Sequence, residues 1–155
     1  MPTYRAPLEE MMFVLEDVLG LPQKLKLWPA HQDFDLQTLQ EILNQSARFA
    51  SEVVQPLNQV GDAQGCELNA QTKEVKTPDG FKAAYRAFME GGWASLSCDP
   101  QYGGQGLPLV VNQCVYEMLN SANQAWTMYA GLTHGAYECL HAHGSEWQKN
   151  TFLPK

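Results

Sequence analysis

Apolar side chains recur at steps of three and four residues along most of this chain, and that spacing constrains its fold more than any other feature. The spacing is clearest after Asp35, where the recurring residues are Leu36, Leu39, Leu43, Ala47, Ala50, Val53, Val54 and Leu57. It places apolar groups on one face of an α-helix, and Asp35 is a good N-cap for that helix. Pro56 removes one backbone hydrogen bond, so we expect a kink before Gly61.

The same spacing predicts further helices that are joined by short connections. Four such segments cover residues 7–20, 79–90, 109–123 and 126–143. The last of these mixes small residues with large ones, which predicts a close-packed central helix. A capping-box pattern from Ser145 to Gln148 predicts the start of one more helix.

Two stretches lack the helical spacing. Residues 21–33 are predicted to form an irregular connection, and residues 62–78 a surface loop or short hairpin. No stretch alternates apolar and polar side chains over any length, as a half-buried strand would. The sequence therefore predicts an all-α fold, a helical bundle of five or six mostly antiparallel helices.

Size and charge narrow the classes of function. A chain of 155 residues can bury one independent core, and its net charge of −7 opposes binding to phosphate backbones, so no nucleic-acid partner is expected. No apolar run reaches the roughly 18 residues that cross a membrane. Acidic residues interrupt the apolar run near the N-terminus, which argues against an export signal. We therefore expect a cytoplasmic protein with reduced cysteines and no membrane partner.

The stretch from Phe88 to Leu109 contains five glycines and two prolines between two predicted helices. Gly103, Gly104 and Gly106 permit a backbone path that residues with side chains resist. The stretch lacks both the spacing and the preceding strand of a phosphate-binding loop. It is therefore predicted to be a tight turn between helices.

Titratable side chains near the C-terminus suggest two candidate clusters. Cys139, His141 and His143 resemble a metal-ligand series, but on a helix His141 points away from the other two, so no metal site is expected. His134, Glu138 and His141 share one face, which fits an acid–base group less well than a polar stripe that contacts solvent or another domain.

A nucleophilic pair of a histidine with Cys98 or Cys114 stays open at this stage, because spatial neighbours are invisible in a sequence. No family-type signature surrounds either cysteine. Composition and spacing therefore assign no catalytic residue and name no reaction.

Several stretches, taken together and in order, resemble the N-terminal helical domain of the acyl-CoA dehydrogenase family. They are Arg48-Phe49-Ala50, Val54-Gln55-Pro56-Leu57, Gly92-Trp93, Tyr102 to Leu107, Glu117-Met118-Leu119 and His143 to Pro154. Residues 1–15 resemble the additional N-terminal segment of a larger bacterial branch that includes methylthiopropanoyl-CoA dehydrogenases. The resemblance implies an N-terminal extension with one helix over residues 1–34 and the N-terminal helical domain over 35–155. The FAD-binding β-domain and the C-terminal helical domain of the family would lie outside these residues.

The resemblance also implies an activity for the parent protein. Members of the family use FAD to introduce an α,β double bond into an acyl-CoA thioester, and an electron-transfer flavoprotein usually reoxidises the flavin. A homo-oligomer is implied as well. No glutamate of this chain matches the family's catalytic base, so no catalytic or cofactor-binding residue is assigned. The residues implied as substrate-pocket wall are Tyr102, Gly103, Gly104, Gly106, Cys114, Glu117, Met118, Gly131, Leu132 and Gly135.

Three alternatives accompany this interpretation. An acyl-CoA oxidase would share the fold and produce peroxide from oxygen. A flavoprotein of the DNA-damage response would need a basic surface, which this acidic chain does not offer. A free-standing, non-enzymatic helical interaction module would need no flavin at all.

Overall fold

The N-terminal part of the protein is a pair of short helices. The computed structural model describes residues 4–154, so residues 1–3, which belong to the segment used for the resemblance, and residue 155 lie outside the described residues. Helix α1 (Leu8–Phe13) continues into a π-helical turn (Val14–Val18), and Gly20 follows in a left-handed conformation with φ of +58°. Helix α2 (Leu21–Leu27) and a 3-10 turn (Pro29–His31) complete this part.

Helix α2 corrects the prediction of an irregular connection over residues 21–33. The extension therefore contains two helices and not the one that was predicted. Pro22 lies in the first helical turn, where its missing N–H costs nothing. Leu21 and Leu25, one turn apart, are both buried. Packing therefore stabilises a helix that is too short to show a clear helical spacing of apolar residues.

The next helical unit begins where the sequence predicted. Asp35 caps helix α3 (Leu36–Phe49) by accepting a hydrogen bond from the Thr38 N–H at 2.7 Å, which confirms the predicted N-cap. A second π-helical turn (Ala50–Val54) follows, and helix α4 (Leu57–Gln64) begins directly after Pro56. The α-helical hydrogen-bond pattern is thus interrupted just ahead of the proline.

The middle of the chain contains a hairpin and the glycine-rich stretch. Strands β1 (Glu67–Leu68) and β2 (Val75–Lys76) pair antiparallel, as the hairpin alternative predicted for residues 62–78, and they are the only strands within residues 4–154. Helix α5 (Phe81–Glu90) follows, and two 3-10 turns (Trp93–Ser95 and Pro100–Tyr102) shape the glycine-rich stretch.

The C-terminal part is dominated by helix α6 (Leu109–His143), which is broken at one residue. Asn123 has φ of −162° and ψ of 90°, so residues 109–122 and 124–143 are separate helical halves, as the sequence predicted. Helix α7 (Glu146–Phe152) begins with the predicted capping box between Ser145 and Gln148. The described residues thus confirm an all-α fold.

The core lies between the first half of α6 and the helices of the N-terminal half. Its most deeply buried side chains are Leu25, Leu39, Leu43, Val54, Phe88, Val111, Val115, Met118, Leu119 and Trp126. Phe49, Phe88 and Trp126 form an aromatic cluster, in which the Phe88 and Trp126 ring centroids lie 5.6 Å apart in an edge-to-face arrangement. This cluster joins α3, α5 and α6.

The second half of α6 corrects another prediction. Trp126, Thr127 and Ala130 are buried, but the residues after Ala130 are half-buried or exposed. Leu132 is 73% exposed, so this half is not the close-packed central helix that its small residues suggested. Small residues remove side-chain bulk but do not supply a neighbour, and within residues 4–154 one side of this helix has none.

The buried amide of Asn123 joins the two halves of α6 to the rest of the fold. Its Nδ2 donates to the Val54 carbonyl at 3.3 Å, and its Oδ1 accepts from the Trp126 N–H at 3.0 Å. We expect Asn123→Ala to lower the free energy of unfolding by about 2–3 kcal/mol, because two buried polar groups lose their partner. Urea unfolding measures this change.

Asn120→Ala is the matched control for that experiment. Asn120 lies one turn earlier on the same helix, is half-buried, and donates only to the Tyr116 carbonyl. Its replacement should cost less than about 1 kcal/mol. Equal losses for the two variants would contradict the role assigned to Asn123.

Candidate functional site

A cavity of about 330 Å³ lies between α5, the glycine-rich stretch, the second half of α6 and the end of α7. Its walls include Tyr85, Cys98, Tyr102, Gly103, Gly104, His134, Tyr137, Leu140 and Leu153. The size is at the lower end of the range that small-molecule pockets occupy. The cavity is therefore a candidate for a ligand site in the described residues.

The wall formed by the glycine-rich stretch is a turn folded back on itself. The Gly104 N–H donates to the Asp99 carbonyl at 3.0 Å, and the Gly106 N–H donates to the Cys98 carbonyl at 2.9 Å. Gly103 has φ of +90°, a conformation that favours glycine. At Gly104 a Cβ would collide with the carbonyl of Cys98, so the close approach itself requires glycine.

Two side chains of α6 hold this turn from the other side of the cavity. The phenol oxygen of Tyr137 accepts a hydrogen bond from the Asp99 backbone N–H at 2.7 Å. His141 Nε2 lies 3.3 Å from Asp99 Oδ2. The ring of Tyr102 meets the His141 ring edge-on at 6.1 Å between centroids. The turn is thus attached to α6 through both the backbone and the side chain of Asp99.

The predicted trio of His134, Glu138 and His141 separates into two pairs. His134 Nε2 lies 3.5 Å from Glu138 Oε1 and 3.3 Å from the Asn112 amide nitrogen, whereas His141 pairs with Asp99. The buried His134 Nδ1 has no hydrogen-bond partner among the described residues. The three groups therefore do not converge on one point.

Burial raises the pKa of two cysteine thiols and one tyrosine in or near the cavity. Burial raises the pKa of the Cys98 thiol, and the carboxylate of Glu138 acts in the same direction. Burial likewise raises the pKa of the Cys114 thiol, and it raises the pKa of Tyr116 to about 12. A nucleophilic cysteine needs a depressed pKa, so neither thiol is prepared for the Cys–His chemistry that the sequence left open.

The structure brings only part of the predicted pocket wall together. Tyr102, Gly103 and Gly104 line the 330 Å³ cavity, and Gly106, with φ of +63°, shapes the turn behind them. These four residues come from one contiguous segment, so their proximity follows from local backbone geometry.

The other predicted residues lie elsewhere. Cys114 and Met118 are buried in the core and Glu117 is exposed. Gly131 and Leu132 line a separate depression of about 190 Å³. These residues face in several directions in the described part of the chain, and their shared role in a substrate pocket stays a prediction.

Gly135 stands apart from both cavities. It is exposed, and a Cβ built on it would meet no atom within 4 Å. Within the described residues, neither a close contact nor a left-handed backbone conformation requires glycine at this position.

Sequence reasoning missed Tyr137, which connects the cavity to the turn. Its position was informative, because Tyr137 lies three residues after His134 and four before His141, on the face shared by those histidines. Its partner Asp99 is 38 residues away, and no local pattern predicts that contact.

The described residues contain neither a metal-ligand cluster nor a membrane-spanning helix. Within residues 4–154, no three His, Cys, Asp or Glu side chains are grouped closely enough to hold a metal ion. In the same part of the chain, no helix combines the length and apolar character that crossing a bilayer requires.

The fold and the cavity define a class of domain, an α-helical unit whose glycine-shaped turn forms one wall of a small-molecule-sized cavity. Residues 37–155 match the model of the acyl-CoA dehydrogenase N-terminal domain. The chain therefore belongs to the acyl-CoA dehydrogenase family, which confirms the resemblance found in the sequence.

Three relatives illustrate the relationship. The chain is 35% identical over 153 residues to 3-methylmercaptopropionyl-CoA dehydrogenase of Ruegeria pomeroyi, covering 99% of this chain and 26% of the relative. It is 31% identical to the broad-specificity linear acyl-CoA dehydrogenase FadE5 of Mycobacterium tuberculosis, covering 96% of this chain and 24% of that relative. It is 29% identical to a butyryl-CoA dehydrogenase of Syntrophomonas wolfei, covering 98% of this chain and 25% of that relative. The chain thus spans about a quarter of the length of these relatives.

Two glycines give a matched test of the turn. Gly104→Ala should lower the free energy of unfolding by about 3 kcal/mol, because the added methyl collides with the Cys98 backbone. Gly135→Ala adds the same methyl in open space within a helix and should raise it by up to about 1 kcal/mol. Urea midpoints of the two variants measure the difference, and a well-tolerated Gly104→Ala would contradict the close approach.

The attachment of Asp99 predicts a pH dependence. Its hydrogen bond from the Gln101 N–H, and next the contact with His141, hold the pKa of Asp99 below its usual value. Because the folded pKa is depressed, the stabilisation is present above the unfolded value of about 3.9 and is lost as pH falls through the folded value. The wild type should therefore have a higher melting temperature than Asp99→Asn at pH 7, and this difference should shrink as the pH falls below the unfolded pKa of Asp99 and through the lower folded pKa. A gap that is constant with pH would contradict this assignment.

Proposed function

We propose that this chain is the N-terminal part of a flavin-dependent acyl-CoA dehydrogenase and that it contributes pocket wall, not the catalytic base. The observation that carries the proposal is the 330 Å³ cavity, which is bounded by the Tyr102-Gly103-Gly104 turn. This turn belongs to the segments by which the chain resembles the family. The three relatives are all acyl-CoA dehydrogenases, which supports acyl thioesters of coenzyme A as the substrate class.

The chemistry of the cavity wall suits an acyl group. Met89, Leu140 and Leu153 supply apolar surface, and the open space beside Gly103 lets an acyl chain approach the backbone closely. Burial raises the pKa of the nearby Cys98 thiol and keeps it neutral, so this group places no charge against an apolar ligand. The wall therefore binds and orients the acyl group of the substrate.

The redox step belongs to groups beyond this chain. A bound FAD would supply the acceptor for the β-hydrogen of the acyl thioester, and we place the base for the α-proton outside these 155 residues. The residues of this chain fit a supporting role beside a bound flavin. The exposed face at Gly135 has no side-chain bulk, and Leu132 beside it offers apolar surface to a covering domain.

The partners follow from the family alone. We propose that an electron-transfer flavoprotein reoxidises the flavin, that the parent protein is a homo-oligomer, and that it is located in the cytoplasm. The chain spans only about a quarter of the length of these relatives, which supports further domains in the parent, and we propose that they are the family's FAD-binding β-domain and C-terminal helical domain.

The decisive experiment uses the full-length parent protein. It should purify with FAD, and a saturated acyl-CoA added without oxygen should bleach the visible absorbance of the flavin. The control is the same acyl-CoA with an α,β double bond already present. It should leave the flavin oxidised and its visible absorbance unbleached. Rapid peroxide formation in air would favour the oxidase alternative, and a protein that neither holds nor takes up FAD would favour the interaction module.

A further inference from the structure

Tyr137 occupies a central position between α6 and the turn that closes the cavity. Its hydroxyl oxygen accepts the Asp99 N–H at 2.7 Å. The carbonyl of the same Asp99 accepts the N–H groups of Tyr102 and Gly104, each at 3.0 Å. The Tyr137 side chain thus holds Asp99, and the carbonyl of Asp99 accepts two of the hydrogen bonds that close the turn.

The Tyr137 ring is itself fixed by its neighbours on α6. It stacks nearly parallel to the His141 ring, with centroids 5.5 Å apart, and nearly parallel to the His134 ring at 6.3 Å. A ring held on both faces has few alternative rotamers, so its hydroxyl stays directed at Asp99. Burial raises the pKa of Tyr137, which keeps the hydroxyl neutral near pH 7.

The neighbouring His141 supports the same geometry by a different route. It contacts the Asp99 carboxylate and the edge of the Tyr102 ring. Tyr102, Gly103 and Tyr137 all line the cavity, so any movement of the turn relative to α6 changes the width of the space between them. The distance between the two walls depends on the Tyr137 hydrogen bond together with these contacts of His141.

We propose that Tyr137 is a positioning residue that sets the acyl-chain preference of the dehydrogenase. Its hydroxyl holds Asp99, and through it Tyr102, Gly103 and Gly104, against the cavity and limits the length of the acyl chain that fits. This inference rests on the proposed function, and it adds a selectivity role for a residue outside the family's resembling segments.

The test compares two tyrosine variants in the full-length parent. Tyr137→Phe keeps the stacked ring and removes only the hydrogen-bond acceptor. Tyr129→Phe is the control, since Tyr129 lies on the same helix and its hydroxyl contacts Cys66, outside the cavity wall. The measurement is kcat and KM for a series of saturated acyl-CoAs of increasing chain length.

Tyr137→Phe should raise the ratio of kcat/KM for long chains to that for short chains by about fivefold, the size of effect that one hydrogen bond supports. The change should be carried by KM, because the base and the flavin lie outside this chain. Tyr129→Phe should leave the ratio unchanged. A loss for Tyr137→Phe that is equal for every chain length would indicate general destabilisation and overturn the proposal.

Hydrogen exchange separates this proposal from the function on which it rests. The amides of Gly104 and Gly106 should exchange faster in Tyr137→Phe than in wild type or Tyr129→Phe. Unchanged exchange together with an unchanged ratio would overturn the positioning role. Faster exchange with an unchanged ratio would overturn the selectivity role alone. A flavin-loaded parent that oxidises no acyl-CoA would refute the proposed function and the selectivity role, while exchange would still report whether Tyr137 holds the turn.

Discussion

The buried amide of Asn123 is the interaction on which the arrangement of this domain depends. It ends the first half of α6 and caps the second, and it binds the carbonyl of Val54 across the core. In a continuous α-helix the Asn58 N–H would donate to the Val54 carbonyl, but just after the break at Pro56 it donates to the Gln55 carbonyl. The Val54 carbonyl therefore needs Asn123 as its partner. Two helix irregularities far apart in sequence therefore complete each other's hydrogen bonds, and together they direct the second half of α6 toward the glycine-rich turn.

Because α6 changes direction there, its two halves have different tasks. The first half carries Val111, Val115 and Leu119 into the core and secures the fold. The second half leaves the core after Ala130 and presents His134, Tyr137 and His141 to the turn. The cavity lies in the angle between this second half and the turn, so the geometry of the site follows from the backbone break at Asn123 together with the glycine-rich turn.

Most of the helices could be predicted from the sequence because their signals are local. The cap at Asp35, the apolar face of α5 and the capping box at Ser145 each lie within a few residues. Helix α2 was missed because seven residues that include Pro22 show too little periodicity, and burial of Leu21 and Leu25 stabilises it. Local signals therefore succeed where the stabilising groups are neighbours in sequence.

The candidate site was only partly predictable, for the same reason. The glycines of the turn are visible in the sequence, since backbone conformation is a local property. The contact of Tyr137 with Asp99 and the contact of Asn123 with Val54 join residues 38 and 69 positions apart, and no spacing rule reports them. The enclosure predicted for residues 126–143 was wrong for the described chain, because small residues show that a neighbour could approach and not that one is present.

The π-helical turn at Ala50–Val54 affects how this segment is to be aligned with other members of its family. Such a turn accommodates one additional residue, because its bonds run from residue i to i+5, as in the bond from the Gln55 N–H to the Ala50 carbonyl at 2.8 Å. Each residue of an α-helix advances by about 100° around the axis. Relative to a homologue without the turn, Pro56 and all of α4 are therefore shifted by one position, and an ungapped alignment across this point would equate residues that face different neighbours.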